Sequence, residues 1–332
     1  MQPTQSLRWP TALLALLLAA CAAPQAATPP QPPLANDAIS TVTQVSTPTQ
    51  YSTPFDATPS PDGALVYFTA DSAAGGAVFR SDPGTEPELL AQGAPLVEPR
   101  GLDISSDGGT LYIADQAAAS SVGAGQVFAL PATGGAPVAL PGAAGFRPRA
   151  LTVAVEGGAD VLYLTGSHPE DGRPVLVRLP LDGGGATVVA AGAPLVEPSG
   201  VTAARDGTLY VADRSAAGAG RGSLFRVRGA SVDRLATDFL TGGPVVGVAL
   251  TFDEKAILVS SLEEQVLSAQ ALIVDLASLA QARFNKVIGA NSGAGGLQRA
   301  AEANLFAWAD TPAPGAGRSR SPGAGGVYTL QP

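Results

Sequence analysis

The chain has 332 residues, and its 19 lysines and arginines against 28 aspartates and glutamates give a net charge of −9. An acidic chain is a poor partner for phosphodiester backbones, so nucleic-acid binding is excluded as a main function. The 40 glycines and 29 prolines argue against long helices, and the 45% apolar content argues against disorder. With one cysteine and one histidine, the chain can build neither an internal disulfide nor a Cys/His zinc site.

The first predicted element is an apolar run at 11–20, which is too short to span a bilayer and is typical of a secretory signal peptide. We therefore assign 1–20 to a signal peptide. The run ends in Leu18-Ala19-Ala20-Cys21, which resembles the lipobox of bacterial lipoproteins. The resemblance implies that Cys21 becomes the lipidated first residue of the mature protein. Because Ala22 rather than aspartate follows, it also implies the outer membrane if the host is Gram-negative. An ordinary signal peptide with an incidental cysteine is the alternative.

The next segment is a proline-rich stretch. Residues 22–35 contain five prolines and no charge, so they are expected to be extended and semi-rigid. We predict that 21–35 form a lipidated stalk that holds the domain at 36–332 away from the membrane.

The remainder of the chain repeats one short strand six times. It starts at Ala77 (AVFRS), Gln126 (QVFAL), Val175 (VLVRL), Ser223 (SLFRV), Leu272 (LIVDL) and Gly326 (GVYTL). The steps are 49, 49, 48, 49 and 54 residues. Each copy follows another strand such as TLYIAD at 110–115, an Asp-Gly turn, and a strand of small residues such as GLDIS from Gly101. Four strands per unit of about 49 residues are typical of propeller blades.

The last unit lacks its outer strand, because the chain reaches Pro332 directly after GVYTL. An alternating β-branched segment, AISTVTQVST at 38–47, precedes the first unit and has no other partner. Since an open ring would leave strand edges exposed, we expect this segment to complete the last blade. The predicted fold class is thus all-β, a six-bladed β-propeller whose ring is closed by an N-terminal strand in the last blade.

The sequence Glu98-Pro99-Arg100-Gly101-Leu102-Asp103-Ile104, followed by SSDGGTLYIAD, resembles the repeat of the SMP-30/gluconolactonase and NHL-type six-bladed propellers. A second copy begins at Glu197-Pro198-Ser199 and continues to TLYVAD. The resemblance covers about 51–330. It implies the fold more strongly than any function, because propellers host many activities.

Candidate site residues are those expected at the channel mouth, just before each inner strand or just after the second strand of a blade. They are Asp56, Arg100, Asp115, Arg149, His168, Ser199 and Asp213. In the SMP-30-like lactonases a divalent metal is held at this mouth by a glutamate of the first blade and by Asn or Asp before later inner strands. Matched position by position, those later places hold Arg100 and Ser199, or Arg149 in a shifted register. Only Asp56 could replace the glutamate. We therefore expect no cofactor beyond a weakly bound calcium or other divalent cation.

Each candidate also has a purely structural interpretation. Asp71, Asp115, Asp213 and Asp310 recur at equivalent places and are expected to cap their own loops rather than to form a cation-binding ring. Arg100 and Arg149 could clasp a carboxylate or phosphate, or could simply pair with nearby acids such as Glu98. His168 next to Ser167 suggests a nucleophile and base, but adjacent residues cannot readily face each other, and a solvated loop histidine is the preferred interpretation.

The predicted function is therefore non-catalytic. We expect a lipid-anchored cell-envelope propeller that binds a small molecule, a glycan or an envelope protein at the channel mouth and acts as a binding or scaffold module. A divergent metal-dependent lactonase or esterase is the alternative. The expected partners are the membrane, through the lipid anchor, and the ligand at the mouth, with no nucleic acid.

Overall fold

The fold is built almost entirely from antiparallel strands. The computed structural model describes residues 39–46, 49–265, 268–288, 293–311 and 325–331, all of which fall in one compact unit, Pro33–Pro332. The predicted signal peptide, Cys21 and the stalk lie outside the described residues. In the parts of the chain that are described, no helix has the length and apolar character needed to cross a bilayer.

Three sheets contain four consecutive strands each. The first has β2 (Ser52–Pro59), β3 (Val66–Ser72), β4 (Gly75–Ser81) and β5 (Glu88–Gln92). The second has β6 (Pro99–Ile104), β7 (Thr110–Ser120), β8 (Gly123–Pro131) and β9 (Val138–Ala139), and a short 3-10 helix at Pro141–Ala143 follows it. The third has β10 (Ala150–Glu156), β11 (Ala159–Ser167), β12 (Pro174–Pro180) and β13 (Thr187–Ala191).

The next strands form one larger sheet of eight. It contains β14 (Pro198–Ala203), β15 (Leu209–Gly218), β16 (Arg221–Arg228), β17 (Ser231–Leu240), β18 (Val248–Leu250), β19 (Ala256–Leu262), β20 (Ala269–Asp275) and β21 (Gln281–Ile288). Two sequence repeats meet in this sheet, because the end of β17 pairs with the end of β19 through Leu240 and Leu262.

The last sheet joins the two ends of the described chain. Its order is β1 (Thr41–Ser46), β24 (Gly326–Gln331), β23 (Phe306–Asp310) and β22 (Leu297–Arg299). Thr41 pairs with Gln331 and Val42 with Leu330, so the N-terminal strand supplies the outer strand that the C-terminal repeat lacks, as its alternating pattern predicts.

The prediction of six separate blades is wrong. The described residues form four four-stranded blades and one eight-stranded sheet. The physical reason is a backbone pairing: β17 is ten residues long and its last residue, Leu240, reaches β19 of the following repeat. The repeat period identifies the units of sequence, but it carries no information on whether two neighbouring units hydrogen-bond to each other.

The sheets nevertheless stand around one axis. The inner strands β2, β6, β10, β14, β18 and β22 each contact the next in chain order, and β22 contacts β2. The apolar side chains pack between neighbouring sheets: Val78 and Leu90 of the first sheet share a buried cluster with Leu102, Ile113 and Phe128 of the second. This interleaving places the small residues of the inner strands around a central channel.

The predicted Asp-Gly turns connect inner strands to the strands that follow them. In the turn between β6 and β7, the Asp107 carboxylate accepts the Gly109 N–H at 2.9 Å and the Ser105 hydroxyl proton, and Gly108 has φ of +73°. Glycine is the residue that takes this left-handed conformation without a steric cost. These turns all lie at the end of the channel where the inner strands finish.

Candidate functional site

One end of the channel, which we call the arginine mouth, is ringed by the residues at or just before the start of the inner strands. These are Phe55, Arg100, Arg149, Ser199, Val246 and Gly295. Backbone bonds tie neighbouring members together: the Gly296 N–H donates to Phe55 O at 2.8 Å and the Val246 N–H to Ser199 O at 3.2 Å. Three of the seven sequence-predicted site residues, Arg100, Arg149 and Ser199, are members of this ring.

Two of these residues sit at strand irregularities. Arg100 is the extra residue between Pro99 and Gly101, whose partners on β7 are consecutive, and Ser199 has the same place between Pro198 and Gly200. A β-bulge turns the extra side chain away from the regular alternation of the strand and is common beside binding sites. Both side chains are buried, and the Ser199 hydroxyl has no hydrogen-bond partner among the described residues.

Arg100 is held on two sides. Its guanidinium carbon lies 4.1 Å from the centre of the Phe55 ring, a cation–π contact that is worth about 1–2 kcal/mol when partly desolvated. Its Nη2 lies 3.3 Å from Oε2 of Glu98, so the pairing with a nearby acid that we considered does occur. Its Nε, however, is buried and finds no acceptor in the described chain. Arg100 thus retains an unused N–H donor.

A second charged group continues the mouth across the next two inner strands. Arg149 Nη2 donates to Glu197 Oε1 at 3.4 Å, and Arg214 Nε lies 3.9 Å from Glu197 Oε2. Burial lowers the pKa of Arg149, with the charges of Arg214 and Arg147 adding to the effect and Glu197 opposing it. Burial alone would raise the pKa of Glu197, but the Ser215 hydroxyl and the two arginines outweigh it, and the pKa is lowered.

Asp115 and Asp213 do not face this mouth as free carboxylates. Asp115 accepts the N–H groups of Val97 at 2.7 Å, Glu98 at 3.0 Å, Ala117 at 3.0 Å and Ala118 at 2.8 Å. Asp213 does the same for Val196, Glu197 and Ser215. Both are fully buried. The capping interpretation is therefore confirmed for Asp115 and Asp213, whose carboxylates hold N–H groups of their own loops and also of the residues that precede the inner strands.

Asp56 also has a structural role, because both of its carboxylate oxygens accept backbone N–H groups. It is buried on β2, where Oδ2 accepts the Leu102 N–H from the neighbouring inner strand at 2.9 Å and Oδ1 accepts the Ala57 N–H at 2.9 Å. Burial raises the pKa of Asp56 well above its usual range, although both backbone bonds act in the opposite direction. A hard divalent cation needs about six oxygen ligands. Among the described residues no three His, Cys, Asp or Glu side chains come together, and both oxygens of Asp56 already accept backbone N–H groups.

His168 lies in the loop after β11 and is fixed locally. Its ring meets Phe146 edge-on with 5.8 Å between ring centres, its Nδ1 lies 3.6 Å from Asp171 Oδ1, and it accepts the Glu170 N–H at 3.3 Å. Ser167 does not hydrogen-bond to the His168 ring among the described contacts. The histidine lies in a loop, as expected, but its side chain is only 15% exposed and packs against Phe146, so the expectation of a solvated ring is wrong.

The opposite end of the channel holds a feature that the sequence analysis missed, which we call the turn-side cavity. It has a volume of about 150 Å³ and lies where the inner strands end. Its polar lining includes Asp103, Thr152, Thr202, Gln298 and Arg299. Below it, the channel between Asp56, Gly200, Val248 and Leu297 has no space for a water molecule.

A register signal could have found this lining. Thr58, Asp103, Thr152 and Thr202 each pair with a tyrosine on the following strand: Tyr67, Tyr112, Tyr163 and Tyr210. They occupy one repeat position, which in three of the four strands is the second residue after a glycine or alanine: Gly101, Ala150 or Gly200. A polar residue recurring there, between two apolar neighbours, must face the channel because side chains alternate along a strand.

Comparisons with known proteins agree with this architecture. No protein-family model matches the chain, and no curated protein matches it. Solved structures do. A gluconolactonase from Xanthomonas campestris has a TM-score of 0.59 and 17% identity, covering 87% of this chain and 89% of its own. A putative TolB from Agrobacterium tumefaciens has a TM-score of 0.53 and 18% identity, covering 85% and 91%. A nidogen/laminin complex contributes a chain with a TM-score of 0.52 and 14% identity, covering 77% and 84%.

The class defined by the sheets around one axis and by these likenesses is the β-propeller. At 18% identity or less, the similarity extends to the fold alone. What distinguishes this chain from its neighbours in the fold must be sought in the side chains at the two ends of its channel.

Proposed function

We propose that the protein is a lipid-anchored β-propeller of the cell envelope that binds an anionic group at the arginine mouth without catalysis. The anionic group would be a carboxylate or phosphate, carried by a small molecule, a glycan or an envelope protein. The observation that carries the proposal is the unused hydrogen-bonding capacity at this mouth: the buried Nε atoms of Arg100 and Arg214 have no acceptor among the described residues.

The electrostatics of the mouth support an anion. Arg149 loses solvation by burial and is further disfavoured by the like charges of Arg214 and Arg147, so a bound anion would relieve both effects. Guanidinium groups present their N–H donors in a planar fork that matches carboxylate and phosphate oxygens. Arg100 is already oriented by the Phe55 ring, which reduces the entropy lost on binding.

The surroundings suit a larger partner as well. Val97 and Val196, which precede Glu98 and Glu197, are about half exposed, at 49% and 52%. Val122, in the hairpin between β7 and β8, is 61% exposed. Apolar side chains next to arginines are the composition found at the centre of protein interfaces. An envelope protein or glycan that carries carboxylates would use both parts of this surface.

The metal-dependent lactonase alternative has less support from the residues. Asp56, the one carboxylate that could replace the first-blade glutamate, accepts two backbone N–H groups and is buried. Arg100 and Ser199 occupy the remaining ligand places, and an arginine repels a cation. The similarity to a gluconolactonase concerns the fold and does not extend to the metal-ligating side chains.

Binding at the arginine mouth can be measured by calorimetry with inorganic phosphate and glucuronate, and with glucose as the neutral comparison. We expect saturable binding of the two anions and none of glucose. Arg149→Gln should weaken anion binding roughly tenfold or more, because hydrogen bonds to charged groups are the strong ones.

The matched control is Arg173→Gln, an exposed arginine of the same sheet whose charge is paired with Asp171 in its own loop. It should leave the affinity unchanged. Equal loss in both variants would mean a non-specific charge effect and would contradict the proposal. Calcium-dependent hydrolysis of a lactone or aryl ester by the unmodified protein would instead favour the hydrolase.

The anchor has its own test. The Leu18-Ala19-Ala20-Cys21 segment and the proline-rich 22–35 support lipidation and a stalk, and about 0.8 kcal/mol per buried CH₂ makes release of a multiply acylated protein negligible. Cys21→Ser should move the protein out of the membrane fraction or leave it as uncleaved precursor, as seen by fractionation and intact mass. A variant that still fractionates as a mature membrane protein would refute the lipobox interpretation.

A further inference from the structure

The turn-side cavity is a site of its own, separated from the arginine mouth by packed side chains. Gln298 crosses the channel from β22, and its Nε2 donates to Leu151 O on β10 at 3.2 Å. Beneath this crossing the channel is packed by Asp56, Gly200, Val248 and Leu297. On the turn side, Ser106 and Ala301 form an exposed rim of the cavity.

One wall of the cavity is apolar and the other is polar. Pro59, Val153 and Leu250 form much of the apolar wall. On the polar wall, the Thr202 hydroxyl makes no hydrogen bond within the described residues, and the amide oxygen of Gln298 accepts none, since its only bond there uses Nε2. Thr202 and Gln298 are more than nine-tenths buried, and buried polar groups of this kind are normally satisfied by a partner or by water.

Asp103 lines the same wall, but its carboxylate has no capacity left. Oδ1 accepts the Ile104 N–H and the Thr58 hydroxyl at 2.9 Å each, and Oδ2 accepts the Val153 N–H at 2.8 Å and the Thr152 hydroxyl at 3.2 Å. These donors come from three neighbouring inner strands. Asp103 therefore acts as a cross-link of the ring, and its acceptor positions are used before any ligand arrives, although burial still raises the pKa of this carboxyl.

Arg299 supplies the charge that selects the ligand. It is the last residue of β22, and its guanidinium lies 5.2 Å from the centre of the Phe252 ring. Its Nη1 donates to Ala300 O, and its remaining N–H groups have no acceptor in the described chain. Burial lowers the pKa of Arg299, the like charge of Arg205 adds to this, and Glu254 opposes it only in part. A positive group with spare donors therefore faces a small, half-apolar cavity.

We propose that the turn-side cavity binds a small hydroxycarboxylate, with the carboxylate on Arg299 and a hydroxyl group between Thr202 and the Gln298 amide oxygen. A cavity of 150 Å³ holds a ring of six carbon atoms, so the ligand has about six to nine non-hydrogen atoms. The apolar wall favours a short carbon chain over a simple inorganic anion. The site is independent of the arginine mouth and lies at the other end of the channel.

The experiment uses the mature protein without its lipid and measures heats of binding for lactate, glycerate and malate. Propionate lacks the hydroxyl group and so tests the contact with Thr202 and Gln298. Glycerol lacks the carboxylate and so tests the contact with Arg299. We expect saturable binding of at least one hydroxycarboxylate, weaker binding of propionate, and none of glycerol.

Three variants locate the site. Arg299→Gln should weaken binding roughly 10- to 150-fold, the range for a hydrogen bond to a charged group. Ala301→Trp should block the cavity from its exposed rim without disturbing the core. Arg205→Gln is the matched control, because Arg205 stacks on the same Phe252 ring at 5.3 Å but does not line the cavity. It should change the affinity by less than about threefold, since an exposed like charge acts only weakly in water.

The outcomes are decisive in either direction. Loss of binding in Arg299→Gln and Ala301→Trp, with retention in Arg205→Gln and in Arg149→Gln, supports the cavity. No saturable binding of any of the three hydroxycarboxylates overturns the proposal, and so does binding that survives Ala301→Trp. Binding that is lost in Arg149→Gln but kept in Arg299→Gln assigns the anion to the arginine mouth, which would support the proposed function while refuting this site.

Discussion

Replacing the buried side chains of the N-terminal strand should open the ring at its closing sheet. Ile39, just before β1, packs in one cluster with Phe306, Trp308 and Leu330, and Val45 packs in another with Phe79 and Val327. Both are 3% exposed. The double variant Ile39→Ala/Val45→Ala should therefore lose apolar contacts on both sides of the sheet.

The expected loss can be worked from the two sites. Ile→Ala in a core costs about 2–5 kcal/mol, and a buried valine loses about 1.5–2.5 kcal/mol on truncation. The two residues belong to separate clusters, so their costs should nearly add, to about 4–7 kcal/mol. Native domains have a free energy of unfolding of about 5–15 kcal/mol in total, so the variant should be only marginally stable.

Urea unfolding followed by circular dichroism measures this loss as a change in the free energy of unfolding. The control is Thr41→Ala/Thr43→Ala, which alters two exposed side chains of the same strand. It should shift the midpoint only slightly, because exposed substitutions fall within about 0.5 kcal/mol each. If the apolar double variant unfolds at the midpoint of the control, β1 does not hold the ring closed and the reasoning is refuted.

Two further predictions concern the buried aspartates. Asp115→Ala should lower the free energy of unfolding measured in urea by about 2–4 kcal/mol, because four backbone N–H groups lose their acceptor. Asp107→Ala, at an exposed turn residue, should lower it by less. Equal losses in the two variants would contradict the capping role of Asp115. Burial raises the pKa of Asp56, so its contribution to stability is complete at acidic pH and is lost as the pH rises through the folded-state pKa. The difference in free energy of unfolding between the unmodified protein and Asp56→Asn should therefore increase from neutral to mildly acidic pH. A difference that decreases on acidification would contradict the raised pKa of Asp56.

Features in which one residue has one local role are visible in the sequence. Asp115 and Asp213 recur because every such loop needs an acceptor for its N–H groups, and this need is visible as a repeat position. The segment 38–47 was matched with the last strand because an alternating strand without a neighbour and a sheet without an outer strand require each other.

Features in which the decisive contact joins distant parts of the backbone or crosses the ring are not visible in the sequence. The pairing of Leu240 with Leu262 depends on where two strand ends meet in space, which the residue types alone do not state. The bond from Gln298 to Leu151 links residues 147 positions apart. Such a contact exists only when the ring is closed. The cavity above it therefore cannot be located from the sequence pattern.

The pairing of β1 with β24 has a consequence for how the protein is made. Residue 41 leaves the ribosome among the first of the domain, and its partner at 331 is among the last. Until β24 has been synthesised, β1 has no strand to pair with and remains unpaired while the intervening sheets form. A polypeptide truncated before 326 would lack β24 and would keep an open strand edge that proteases and chaperones can recognise.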